Sequence, residues 1–237
     1  MNTITPETTL ADIIVEKPSL AATMEAMGLD YCCGGQQSIS DAVAERGLDL
    51  HTTIEILQAI PESSSGGENW AGLGLTQMVD RLEATHHAYL KEALPRLTEL
   101  SAKVAEVHRD NHPELVEVDR LTRATRADLE PHMQKEEMIL FPMVRQLDGA
   151  DAAPEFHCGT LRSPISVMMM EHDRVGELLE QIRTAASDFA LPDDACASFR
   201  ALYEGLIELE SDTHMHVHRE NNILFPMAIK AEAALQP

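Results

Sequence analysis

Aromatic residues are scarce in this chain: Phe, Trp and Tyr together make up 4% of 237 residues. Sheets are built on aromatic and β-branched side chains, so this shortage argues against a sheet-based fold. The abundant Ala, Leu, Met and Glu predict helices instead. Positive charge is also short. Eighteen Lys and Arg stand against 40 Asp and Glu, a formal net charge of −22. A field of that sign repels phosphate backbones and anionic lipid surfaces, which sets aside nucleic acid and membrane as partners. No run approaches the ~20 apolar residues that cross a bilayer. The segment Met1–Glu7 has no basic residue leading into an apolar stretch, so no secretory leader is expected. Cysteines number four: Cys32, Cys33, Cys158 and Cys196. The adjacent pair does not have the spacing of a disulfide framework, and a reduced cytoplasmic protein is expected. The chain is long enough to bury a core without such bridges.

What is present divides into two parts. Residues 1–62 read as a small helical domain. Thr9 is placed to cap a helix over Leu10–Lys17, and Pro18 starts a second that stops at Gly28. The paired glycines of Asp30-Tyr-Cys32-Cys33-Gly-Gly35 require a turn. Ser40 is placed to cap a short helix ending near Gly47, and a fourth covers Thr52–Ala59. Residues 63–74, which open on the run Ser63-Ser-Ser-Gly-Gly67, read as a linker. Residues 75–237 read as a four-helix bundle with helices over 75–108, 113–146, 163–188 and 194–230. Short polar breaks between them predict an all-α, up-down-up-down arrangement. Pro95, Pro131, Pro142 and Pro226 fall inside these helices, and each is expected to bend or loosen its helix.

One segment occurs twice. His132-Met-Gln-Lys-Glu136-Glu-Met-Ile-Leu-Phe-Pro-Met143 aligns without a gap on His216-Val-His-Arg-Glu220-Asn-Asn-Ile-Leu-Phe-Pro-Met227. A step of four residues turns about 40° around a helix and rises about 6 Å, so each His shares a face with its Glu. Laying the second half on the first sets His172 beside His87. The point midway between His87 and His132 falls in the first turn. The midpoint of His132 and His172 falls in the second loop, and that of His172 and His216 in the third. Residues equidistant from a turn lie level in an antiparallel bundle, so all four histidines share one layer. Four imidazoles and two carboxylates then converge in the core. Buried carboxylates are costly unless something positive faces them, and no Lys or Arg occupies the matching positions. Two divalent ions would supply the charge; imidazole with carboxylate suits iron, manganese or zinc. The two Ile-Leu-Phe-Pro-Met stretches read as core packing beside the ligands.

The remaining seven histidines read as non-ligands. His86 points about 100° away from His87 around the helix. His214 and His218 flank His216 and face elsewhere, with His86 and His218 as outer supports at most. His51, His108, His112 and His157 fall at element ends or in loops. Glu83, Glu171 and Asp173 lie near the ligands; a carboxylate holding the second imidazole nitrogen would be a normal support there, but a solvated surface role is the expected one for each.

The ligand pattern resembles the hemerythrin-like di-iron bundles. With the Cys32-Cys33-Gly-Gly turn ahead of it, nearly the whole chain resembles the iron–sulfur cluster repair di-iron proteins. That resemblance implies two iron ions, oxo- and carboxylate-bridged, on His87, His132, His172 and His216, with Glu136 and Glu220 as bridges. Of the tandem His86-His87, height in the bundle and spacing to Leu94-Pro95 select His87. The resemblance further implies a homodimer and a stress role: repair of clusters damaged by nitric oxide or oxidants, by iron delivery, by nitric oxide handling, or both. Its partners would be damaged iron–sulfur proteins, with nitric oxide, dioxygen or peroxide as small ligands. Cys32 and Cys33 read as candidate functional thiols that accept iron, relay electrons or touch a damaged cluster. Two other readings stay open. One is a nitric oxide or peroxide reductase using the same centre, although no proton-delivering side chain stands out beside the ligands. The other is a reversible dioxygen or nitric oxide sensor, although no segment is present to read out a signal.

Overall fold

Local side-chain chemistry explains where the helices of the N-terminal unit begin. The computed structural model describes residues 4–61, 70–152, 154–157 and 159–235. Thr9 accepts from the Asp12 amide and caps α1, Leu10–Glu16. A short 3₁₀ turn over Pro18–Leu20 leads into α2, Ala21–Ala26. Ser38, not Ser40, caps α3 at Ile39–Glu45, because its hydroxyl is the one that reaches the Asp41 amide. Asp49 caps α4, Leu50–Ala59, which therefore starts two residues before Thr52. Each cap satisfies one of the orphan N–H groups of a helix start. Thr9 and Ser38 also meet in one antiparallel bridge. Among the described residues there is no longer strand pairing.

The bundle follows. Residues 63–69 of the proposed linker lie outside the described residues, as do residue 62 and Cys158. Trp70–Gly72 forms a 3₁₀ turn with Trp70 buried. Helix α5 spans 75–108, α6 spans 114–147, α7 is Arg162–Ala185 and α8 spans 197–234. They run up, down, up and down. The third helix stops short of residue 188 because Ser187, Asp188 and Phe189 all adopt positive φ, between 50° and 58°. A left-handed run at non-glycine residues cannot continue a right-handed helix.

Three of the four rods contain a π turn: Glu83–His87 in α5, Glu136–Leu140 in α6 and Glu220–Leu224 in α8. Pro142 and Pro226 open the α-helical stretch just after the latter two. Proline lacks the N–H that regular helix bonding needs, and a local change of bonding register accommodates it. Pro95 and Pro131, by contrast, lie within unbroken α-helical stretches. The expected loosening is thus confined to two prolines, and both adjoin the layer where the repeated His and Glu lie.

Apolar side chains pack above and below that layer. Leu90, Leu94, Leu97, Leu121, Leu129, Leu179, Phe199 and Leu206 fill one end. Met78, Leu82, Leu140, Phe141, Val144, Leu224 and Phe225 fill the other. The repeated Leu-Phe pairs are therefore core, although Ile139 in the first copy is 46% exposed. The N-terminal unit has its own core of Leu10, Ile14, Leu20, Met24, Tyr31, Ile39 and Leu57, and it reaches the bundle through Val217 of α8.

Candidate metal centre

The structure brings His87, His132, Glu136, His172, His216 and Glu220 together in the middle of the bundle. Each is at most 1% exposed. They form two donor sets, one of His87, Glu136, His216 and Glu220 and one of His132, Glu136, His172 and Glu220. Within each set the donor atoms lie no more than 4.8 Å apart. Glu136 and Glu220 belong to both. His87 ends its π turn, while Glu136 and Glu220 begin theirs. The Nε2 atoms of His87 and His132 each lie 3.3 Å from Glu136 Oε2. His172 Nε2 is 3.1 Å from Glu220 Oε2, and His216 Nε2 is 3.1 Å from Glu220 Oε1. His172 and His132 point their Nε2 atoms at one another at 3.0 Å.

Burying this many polar groups together is costly. Both oxygens of Glu136 are buried without a hydrogen bond, as are His87 Nε2 and Glu220 Oε2. Burial, then the charge of Glu220, push the Glu136 carboxyl well above its ordinary range. Burial acts the same way on Glu220, but His216 and His172 outweigh it and hold that carboxyl well below. Two carboxylates cannot both ionise in a dry pocket without a compensating cation. Burial lowers His132 to about 3 and His216 to about 4, which keeps both rings neutral, the form that binds metal. Burial opposes a proton at the other two rings as well, but Glu136 raises His87 and Glu220 raises His172, so each carboxylate draws a proton to an imidazole; a pair of divalent cations would take the place of those protons.

The rear nitrogens of three rings are held. Glu137 accepts from His87 Nδ1 at 2.7 Å and pairs with Lys91 at 2.6 Å. Glu171 accepts from His132 Nδ1 at 3.0 Å and also pairs with Lys135. Asn221 Oδ1 accepts from His172 Nδ1 at 2.8 Å. These contacts fix each ring so that Nε2 faces inward. Glu171 is thus a support and not the free surface acid expected of it; the expectation overlooked that α7 lies against α6 at this height. Glu83 pairs with Arg145 at 2.6 Å, and Asp173 is exposed. Glu137 and Asn221 were missed by sequence reasoning. Their signal is position: each directly follows one of the repeated glutamates. His216 is supported differently, by His86, whose ring stacks on it at 5.3 Å and 7° while its Nδ1 lies 2.8 Å from Asp212. Phe141 and Phe225 stack on His87 and His172.

A second face of α8 receives the N-terminal unit. His214, His218 and Asn222 follow one another at four-residue steps, a stripe distinct from His216 and Glu220. His214 Nδ1 lies 3.3 Å from Glu25, which also accepts from the Tyr31 hydroxyl at 2.8 Å. His218 Nδ1 donates to the Tyr31 carbonyl at 3.1 Å. Asn222 Nδ2 donates to the carbonyls of Tyr31 and Cys32 at 3.2 and 3.0 Å. The Cys32-Cys33 turn is thereby seated beside the bundle. A Cβ placed on Gly176, one turn beyond His172, would lie 3.8 Å from Cys33 Sγ.

The comparisons with known proteins agree with this geometry. Residues 78–228 match the Hemerythrin HHE cation binding domain, and residues 6–61 match ScdA_N, a domain of unknown function. The Iron-sulfur cluster repair protein YtfE of Musicola paradisiaca (strain Ech703) is 35% identical over 227 residues, covering 96% of this chain and 98% of the relative. Its namesake in Escherichia coli O157:H7 is 34% identical over 223 residues, covering 94% and 97%. A caged layer of imidazoles and carboxylates, a docked Cys-Cys unit and identity along nearly the whole length converge: the chain belongs to the hemerythrin HHE cation-binding family and, within it, to the YtfE iron–sulfur cluster repair proteins.

Proposed function

We propose that this chain repairs iron–sulfur clusters damaged by nitrosative or oxidative stress, with two iron ions held by His87, His132, His172 and His216 and bridged by Glu136 and Glu220. The observation that carries the reading is the pair of donor sets that share both glutamates. The printed name of the YtfE relatives supports the repair role. Bound there, an iron pair would supply open coordination positions for nitric oxide, dioxygen or peroxide and a reserve of iron for a depleted cluster.

The residues around the centre have their own tasks. Glu137, Glu171 and Asn221 hold three imidazoles in the tautomer that presents Nε2. Lys91 and Lys135, themselves exposed, neutralise Glu137 and Glu171. Phe141, Phe225 and the leucines above and below keep water from the layer. Cys32 and Cys33 sit on the side of the centre where the N-terminal unit docks. The partners are a damaged cluster protein and the small gases that damage it. Cys32, Cys33 and Cys196 are free thiols, which suits a reducing cytoplasm.

The test is reactivation. Iron-loaded protein is added without oxygen to a cluster enzyme inactivated by nitric oxide. Activity should return with the wild-type chain and not with His132→Ala or Glu136→Ala. Equal reactivation by these variants would remove the bundle from the repair chemistry.

A further inference from the structure

We propose that Asp30, Cys32 and Cys33 form a third metal site, one that holds a single ferrous ion in transit between the bundle and a damaged cluster. The inference rests on the repair reading above. One donor atom from each residue lies within 4.8 Å of the others. The two sulfurs are 3.9 Å apart and unbonded. Two sulfurs each ~2.3 Å from one tetrahedral ion stand about 3.8 Å apart, so the thiols already hold the spacing of a chelate. Asp30 Oδ1 lies 3.1 Å from Cys32 Sγ, about 0.4 Å inside the oxygen–sulfur edge of such a tetrahedron, so a small outward shift of the carboxylate completes the three-donor set.

The turn is held in this shape without the metal. Asp30 Oδ1 accepts from the amides of Cys32 and Cys33 at 2.9 and 3.0 Å, and Oδ2 accepts from Gly34 at 2.9 Å. Those bonds fix the carboxylate beside the sulfurs, so little ordering remains when an ion arrives. From the bundle side, His218 and Asn222 hold the carbonyls of Tyr31 and Cys32.

Position gives the site its role. Asp30 is exposed, Cys33 is half-buried and Cys32 is 6% exposed. Cys33 lies against α7 at Gly176, one turn beyond His172. The site therefore lies between solvent, at Asp30, and the α7 turn that follows a proposed iron ligand. Two thiols and one carboxylate leave a position for an incoming sulfide or thiolate of a cluster. The thiols bind as thiolates, so uptake of one ion releases two protons to solvent, and handing the ion on takes them back.

Cobalt titration tests this. Full-length iron-loaded protein, kept reduced and anoxic, is titrated with Co²⁺ while iron content is followed by mass spectrometry. One further Co²⁺ per chain should bind with a near-ultraviolet thiolate-to-cobalt charge-transfer band, which a His and Glu site cannot produce. Cys32→Ser and Cys33→Ser should each abolish the band with iron content and helical circular dichroism retained. Asp30→Asn keeps an oxygen for the turn amides but loses the anionic ligand, and should weaken Co²⁺ binding by about tenfold or more. If Cys32→Ser fails to fold, Cys33→Ser and Asp30→Asn decide. Absence of the band in wild type, or its survival in Cys33→Ser, overturns the third site and leaves the bundle reading intact. Failure of wild type to retain iron would instead remove the repair reading.

Discussion

Gly35→Ala should undock the Cys-Cys turn without disturbing the bundle. A Cβ at this position would lie 2.5 Å from the Tyr31 carbonyl oxygen and 2.8 and 2.9 Å from the Asn222 amide. Backbone cannot yield cheaply at such distances, so the turn must move. Overpacking of this kind costs about 1–3 kcal/mol. The movement also breaks the two Asn222 hydrogen bonds, each contributing about 0.5–1.5 kcal/mol. These terms share one displacement and do not add in full, so about 2–3 kcal/mol is the working figure. In hydrogen exchange, the amides of 30–38 should open about 30- to 150-fold more readily, with the four bundle helices unchanged. Bundle metal content should equal that of wild type. Unaltered exchange in the turn would refute the packing argument; loss of bundle metal would show that the turn and the centre are one structural unit.

Three further outcomes follow from the centre and its surroundings. Glu136→Gln should stabilise or leave unchanged the metal-free protein, since it removes a buried carboxyl that makes no hydrogen bond, yet reduce the stabilisation on metal loading, which is about 4 kcal/mol at a thousandfold excess over Kd. Differential scanning calorimetry of both forms checks this inversion, and equal losses in the two would contradict it. Glu137→Gln, Glu171→Gln and Asn221→Ala should each weaken metal affinity by about 10- to 100-fold with little change in fold; competition against a chelator measures it. Burial lowers His218 to about 4, well below an ordinary imidazole. Below its unfolded value the unfolded chain binds more protons, so stability is present above about pH 6.5 and is lost as pH falls toward 4. The ceiling is about 3 kcal/mol, and His218→Gln should flatten this stretch of the melting-temperature profile; an unchanged slope would assign the acid sensitivity to other groups.

Much of the centre was legible because helices convert spacing into direction. His132 and Glu136 share a face by their four-residue step alone, and the placement of turns midway between histidines brought all four level. Glu137 and Asn221 were not legible in the same way. Their neighbours Glu136 and Glu220 point inward, and one residue further around a regular helix points aside. The π turns alter that direction, and a π turn has no simple sequence signature. For Glu171 the supporting role was the second of two readings, because its partner, His132, lies on another rod.

The amino-acid order by itself determined the helical class, the turns, the repeated donor pair and the excess of negative charge, because these rest on local propensity and periodicity. Only the tertiary structure decided that Glu136 is left with no hydrogen bond, that His86 stacks on His216, and that His214, His218 and Asn222 hold the Cys-Cys turn beside the centre. Those facts depend on how surfaces distant along the chain meet, and no local pattern encodes the distance between them.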